Sequence, residues 1–112
     1  MVQYSGGLDE TFGALADKTR RSILERLGTG EASISELADR FGMTLTGVKK
    51  HVRVLEDAGL VTTEKVGRVR RCRLGPRRLQ QETAWIARYQ EMLEARLDRL
   101  GEFLERTEGE DR

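Results

Sequence analysis

Apolar residues in this chain recur at helical spacing almost throughout, and the pattern changes to alternation only once. Phe12, Leu15 and Ala16 predict a short helix over residues 8–16. Ile23, Leu24 and Leu27 recur at spacings of one, three and four and predict a second helix over 18–27, with Asp17 placed to cap it. Ser33 followed by Glu36 reads as a capping box, in which each side chain satisfies the other residue's free backbone N–H. It opens a third helix that carries Leu37, Ala38 and Phe41 inward, and Gly42 stops it as a left-handed cap. Thr44 caps a fourth helix running to Ala58, whose Val48, Val52 and Leu55 fall at i, i+4 and i+7 and define a buried stripe.

The period changes after Gly59. Leu60–Val66 and Val69–Leu74 flank Gly67-Arg68 and predict a two-stranded hairpin. Gly75-Pro76 then punctuates the chain, and residues 77–106 read as one long helix. Leu79, Ile86, Leu93 and Leu100 repeat every seven residues in it, joined by Trp85, Tyr89, Met92, Leu97, Phe103 and Leu104. At about 100° per residue these side chains share an arc of about 140°, wider than a two-helix seam. Glu82 and Arg96 fall inside that arc and are placed either to pair across a dimer axis or to lie at its wet rim.

The element order is α-α-α-α-β-β-α, a mainly helical fold with one small hairpin. The expectation is a single domain over residues 8–106, with residues 1–7 and 107–112 as flexible tails. One small core cannot cover the apolar arc of the last helix, so a second copy of the chain is expected. Trp85, Ile86, Tyr89, Leu93, Leu97, Leu100 and Leu104, with Phe12 and Leu15 of the first helix, are the candidate dimer contacts.

Composition narrows the function classes. The chain has 112 residues, 38% of them hydrophobic and 35% charged, with one cysteine and one histidine. No run approaches the ~18 apolar residues of a membrane span, and residues 1–5 lack a basic-then-apolar secretory pattern, so no membrane partner is expected. A lone cysteine builds no intramolecular disulfide framework, which points to the reducing cytoplasm. One thiol and one imidazole fall short of the three or four ligands of a structural zinc site. No serine–histidine–acid set, glycine-rich phosphate loop or carboxylate pair is discernible. No catalytic residue, cofactor or metal is therefore expected.

The formal net charge of +1 conceals a gradient. Residues 17–75 carry 13 Lys and Arg against 8 Asp and Glu, while residues 1–16 and 76–112 are each net −2. The basic excess is concentrated in residues 44–73, a distribution suited to one face meeting phosphates. Residues 33–41 and 44–58, joined by Gly42-Met43, have the dimensions of a helix-turn-helix. In such a motif the first helix braces the second, which enters a major groove about 12 Å wide. Thr44, Thr46, Gly47, Lys49, Lys50, His51 and Arg53 are the candidate DNA contacts on that second helix, and Arg68, Arg70 and Arg71 on the hairpin. A basic hairpin directly after the motif reads as a wing, so the fold class is a winged helix-turn-helix, 33–58 and 60–74, with 77–106 as dimerisation helix.

The same residues carry a family resemblance. Ala14-Leu15-Ala16-Asp17-Lys18-Thr19-Arg20-Arg21-Ser22-Ile23-Leu24 resembles the opening of ArsR/SmtB-type winged-helix repressors. Ser35-Glu36-Leu37-Ala38 and the segment from Thr44 through Val48, His51, Val52, Val54 and Leu55 to Ala58-Gly59-Leu60-Val61 are similar to that family's recognition block. The likeness covers about residues 9–75. It implies a homodimeric transcriptional regulator, usually a repressor released from a palindromic operator by a signal. Metal-sensing members often carry a Cys-x-Cys pair in the first helix of the motif, where this chain has Ser33-Ile34-Ser35. An alternative sensor site on the last helix uses histidines and carboxylates, and residues 77–106 hold no histidine. The resemblance is thus to the branch that does not sense metals, with a small-molecule or redox effector unidentified.

Some residues keep two readings. His51 suits phosphate contact or helix packing. Cys72 suits apolar packing or redox sensing. Trp85 and Tyr89 suit the core, the dimer contact or an effector pocket. Gly47 either permits close approach to DNA or is a tolerated weakness costing about 1 kcal/mol relative to alanine. The competing function is a protein-interaction module that uses the winged-helix scaffold without specific DNA binding.

Overall fold

The computed structural model describes residues 2–110, and the side chains of residues 7–107. The chain divides after Arg78 into two compact units.

The first unit holds α1 (Val2–Leu15), α2 (Lys18–Leu27), β1 (Ala32–Ser33), α3 (Ile34–Phe41), α4 (Leu45–Asp57), β2 (Val61–Val66) and β3 (Val69–Leu74). Helix α1 begins six residues earlier than its apolar pattern predicts, so residues 2–7, expected as a tail, belong to it. Gly6 and Gly7 disfavour a helix locally, and tertiary ties act against that bias. Buried Thr11 donates its hydroxyl to the Gly7 carbonyl at 2.7 Å, and Arg77 donates back to the same hydroxyl oxygen.

Local signals set the helix ends. Asp17 accepts from the Arg20 N–H at 3.0 Å, and this bond holds its carboxyl below the usual carboxylate range. The capping box forms as predicted: Ser33 accepts from the Glu36 N–H at 3.0 Å while Glu36 accepts from the Ser33 N–H at 2.9 Å. Donation from the Ser33 N–H is the largest cause holding the Glu36 carboxyl below the usual carboxylate range. Gly42 ends α3 in the left-handed region at φ 62°, and the Met43 N–H closes the turn on the Ala38 carbonyl at 3.0 Å. Gly67, at φ 64°, leads the two-residue hairpin turn, as its first central position requires.

Strand β1 was invisible to periodicity because two residues carry no period. It pairs antiparallel with β3, so the wing is a three-stranded sheet in the order β1-β3-β2. The core lies between this sheet and the helices. Ile23, Leu37, Val48, Leu55, Val61 and Cys72 are fully buried there. Val48, Val52 and Leu55 form the inner stripe of α4 at the predicted spacing.

The second unit is a single helix, α5 (Gln80–Glu110), of 31 residues. It starts three residues after the predicted Arg77, because Arg77 serves the first unit by bonding Thr11 and the Ala58 carbonyl. Residues 107–110, expected as a tail, continue the helix. Met1 and residues 111–112 of the expected tails lie outside the described residues.

Candidate nucleic-acid interface

The turn after Gly42 delivers Thr44 as the cap of α4, its hydroxyl accepting from the Gly47 N–H at 3.0 Å. A side chain at position 47 would meet that same hydroxyl at 3.2 Å and the Met43 Cε at 3.3 Å. Crowding against the cap is therefore a further reason for glycine here, beside close approach to DNA. With Val48, Val52 and Leu55 turned inward, the opposite face of α4 presents Thr46, Lys49, Lys50 and Arg53, all exposed. Arg53 is loosely tethered to Asp57 at 3.3 Å, an exposed i,i+4 pair worth about 0.3–0.5 kcal/mol and easily exchanged for a phosphate. His51 sits apart from this face. It is half-buried, and its Nδ1 accepts from Arg20 at 3.3 Å, an arginine that also donates to the Ala14 carbonyl at 2.8 Å. That contact favours the packing alternative.

Strand register sorts the basic residues of the wing. Lys65 pairs with Arg70, Thr63 with Cys72 and Val61 with Leu74, and these six share the sheet face whose base, at Val61 and Cys72, is buried in the core. Glu64 and Arg71 pair on the reverse face, together with Arg73. Arg71 donates to Glu31 at 3.3 Å, and Arg73 lies 3.6 Å from Glu64. The three arginines expected to act together are thus divided. Arg68 is at the turn, Arg70 overhangs the helices, and Arg71 is held on the far side by a carboxylate. Lys49, Lys65, Arg68 and Arg70 line one open groove of about 450 Å³ with Ser33, Ser35 and Leu45. Lys65 and Ser35 were missed as site residues, although alternation along the hairpin was a sufficient signal for Lys65.

The dimer candidates separate by unit. Phe12 and Leu15 are half-buried in α1. Trp85, Ile86, Tyr89, Leu93, Leu97, Leu100 and Leu104 are 41–58% exposed along α5. The Trp85 and Tyr89 rings stack at 5.8 Å with 2° between their planes. Among the described residues no helix is long and apolar enough to cross a membrane.

A helix-turn-helix domain family matches residues 15–64. The chain is 41% identical to the HTH-type transcriptional regulator YuzN of Bacillus subtilis (strain 168), across 59% of this chain and 79% of that protein. A crystal structure of an ArsR family transcriptional regulator superposes with a TM-score of 0.73 at 46% identity, covering 84% of this chain and 97% of its own. This chain belongs to the ArsR family of transcriptional regulators. A further ArsR-like neighbour shows the fold alone at 23% identity: a homodimeric winged helix-turn-helix DNA-binding domain from Mycobacterium bovis. Its TM-score is 0.63, with 88% of each chain covered. Within this ArsR-family fold, Cys72 is fully buried, and burial first, then the nearby Glu56 carboxylate, pushes its thiol up to about 11. A thiol so shielded is a weak nucleophile at neutral pH, which favours its packing role.

Proposed function

We propose that this ArsR-family protein is a cytoplasmic, homodimeric repressor that binds a palindromic operator through α4 and the wing. One observation carries the reading: Thr46, Lys49, Lys50 and Arg53 form an exposed face continuous with the groove of Lys65, Arg68 and Arg70. Long-range phosphate attraction comes from the cations, and Thr46, near the start of α4, is the residue suited to a base edge in the major groove. Arg68 at the hairpin turn is suited to the adjacent backbone or minor groove. The second copy docks on the apolar face of α5, where nine large apolar side chains are exposed. Leaving half of them wet would forgo on the order of 10 kcal/mol, comparable to the stability of a whole domain. The homodimeric state of the Mycobacterium bovis neighbour supports self-association. A two-fold dimer sets its recognition helices roughly 34 Å apart, one turn of DNA, and so requires two half-sites. The releasing signal is taken to be something other than a metal ion, since Ser33 and Ser35 stand where metal-sensing members carry a thiol pair.

Selection of bound sites from random duplex DNA by the purified protein tests this directly. Enrichment of a palindrome is expected. Failure to enrich any sequence, with dimerisation retained, would replace the reading with a protein-interaction module.

A further inference from the structure

Hydrogen bonds link the wing to the recognition helix in one direction. Arg70 Nη1 donates to Thr63 Oγ1 at 2.9 Å, and the Thr63 hydroxyl donates in turn to Glu56 Oε2 at 2.9 Å. Thr63 and Arg70 lie on adjacent strands and on the same sheet face, one alternation apart in register. Glu56 stands on the last turn of α4. All three line a second open groove of about 360 Å³, together with Lys49 and Arg53 of the outward face of α4.

The polarity of this relay follows from the groups involved. A threonine hydroxyl has one proton and two lone pairs, a carboxylate only accepts, and a guanidinium only donates. When Glu56 accepts the hydrogen bond of the hydroxyl, the Thr63 lone pairs are left for Arg70. One of the five guanidinium N–H donors is then spent on orientation, and the others stay available to an anion. A free arginine must lose its rotamer freedom when it binds, whereas one already held has lost it beforehand.

We propose that Thr63, oriented by Glu56, is a positioning residue that ties the wing to α4 and aims Arg70 at a DNA phosphate. The inference rests on reading this surface as the DNA interface. It assigns a share of the DNA affinity to a hydroxyl that need not touch DNA, and it makes wing and recognition helix act as one unit.

Equilibrium binding of the full chain to its selected duplex, over a range of salt concentrations, tests the relay. Thr63→Val keeps the side-chain shape and strand preference but removes the hydroxyl. It should weaken binding about threefold to tenfold, the effect of one exposed charge-assisted hydrogen bond. Thr63→Ser should restore wild-type affinity, which a role in packing alone would not give. Arg70→Ala should weaken binding and flatten the salt dependence, and adding Thr63→Val to it should change nothing further. Effects of Thr63→Val and Arg70→Ala that multiply, or a Thr63→Ser protein as weak as Thr63→Val, would overturn the relay. Binding weakened by Arg70→Ala but unaffected by Thr63→Val would overturn the relay and leave the interface standing. A wild-type protein that binds no duplex would overturn both.

Discussion

Two parts of this chain use the same residue types at the same helical spacing and end in opposite environments. In α4, Val48 and Leu55 have no exposed surface, whereas in α5 Met92 is 62% and Leu97 58% exposed. The difference is supply. The unit through Arg78 has six other elements, three helices and three strands, with which to surround the inner stripe of α4. The unit from Leu79 onward is one helix, and a single helix cannot bury its own apolar arc. Periodicity therefore identifies which side chains seek burial, but not whether the same chain provides it.

The largest expected effect separates these two cases. Leu93→Glu with Leu97→Glu should abolish the dimer and lower operator affinity by about two orders of magnitude or more, because each half-site then binds alone. Sedimentation that still shows a dimer would move the interface away from α5. A core change should behave differently. Leu55→Ala should cost about 2–5 kcal/mol through poorer packing and a residual cavity. Leu97→Ala should instead raise the dissociation constant of the dimer, as a residue at a dimer interface requires. Sedimentation across a range of protein concentrations distinguishes them, and an unchanged dissociation constant for Leu97→Ala would break the contrast.

The two faces of the wing offer a smaller version of the same comparison. Replacing Arg68 and Arg70 by alanine should reduce the slope of log K against log salt by roughly 0.9 for each phosphate left without its cation. Arg71→Ala should change the slope much less, because register places it on the reverse face of the wing, beside Glu31. Equal slopes for both variants would remove the distinction between the faces. The smallest effect concerns Cys72. Its pKa is raised in the folded protein, so the thiol favours folding below its ordinary pKa near 9. That contribution is lost as pH rises from about 9 towards 11, by at most about 3 kcal/mol. A Cys72→Ala protein should show a flatter decline of stability over that alkaline range. Identical declines would mean the thiol ionises as freely folded as unfolded.

Legibility followed the range of the forces involved. Caps, turns and stripes depend on residues three to seven apart, so Asp17, Ser33 with Glu36, Gly42 and Thr44 were readable as helix boundaries. The outward face of α4 followed once its inner stripe was known. Strand β1 escaped because it exists only through pairing with β3, nearly forty residues on in the chain. Helix α1 began earlier than its own pattern allowed, for glycines there are opposed by side chains brought from elsewhere. His51 kept two readings and Arg71 stood only as a candidate DNA contact, because their partners Arg20 and Glu31 lie 31 and 40 residues away.

The sequence by itself determined the order of the five helices and the two hairpin strands, the helix-turn-helix and the family, since each rests on local periodicity or on a contiguous motif. Tertiary structure alone decided which cations are spoken for. It separated Arg70 from Arg71 by strand register, turned His51 towards α2, and joined Glu56, Thr63 and Arg70 into one chain of hydrogen bonds. The physical reason is directional: a charge attracts from a distance and is visible in composition. A hydrogen bond needs two groups about 3 Å apart and aligned, and only the folded chain sets that geometry.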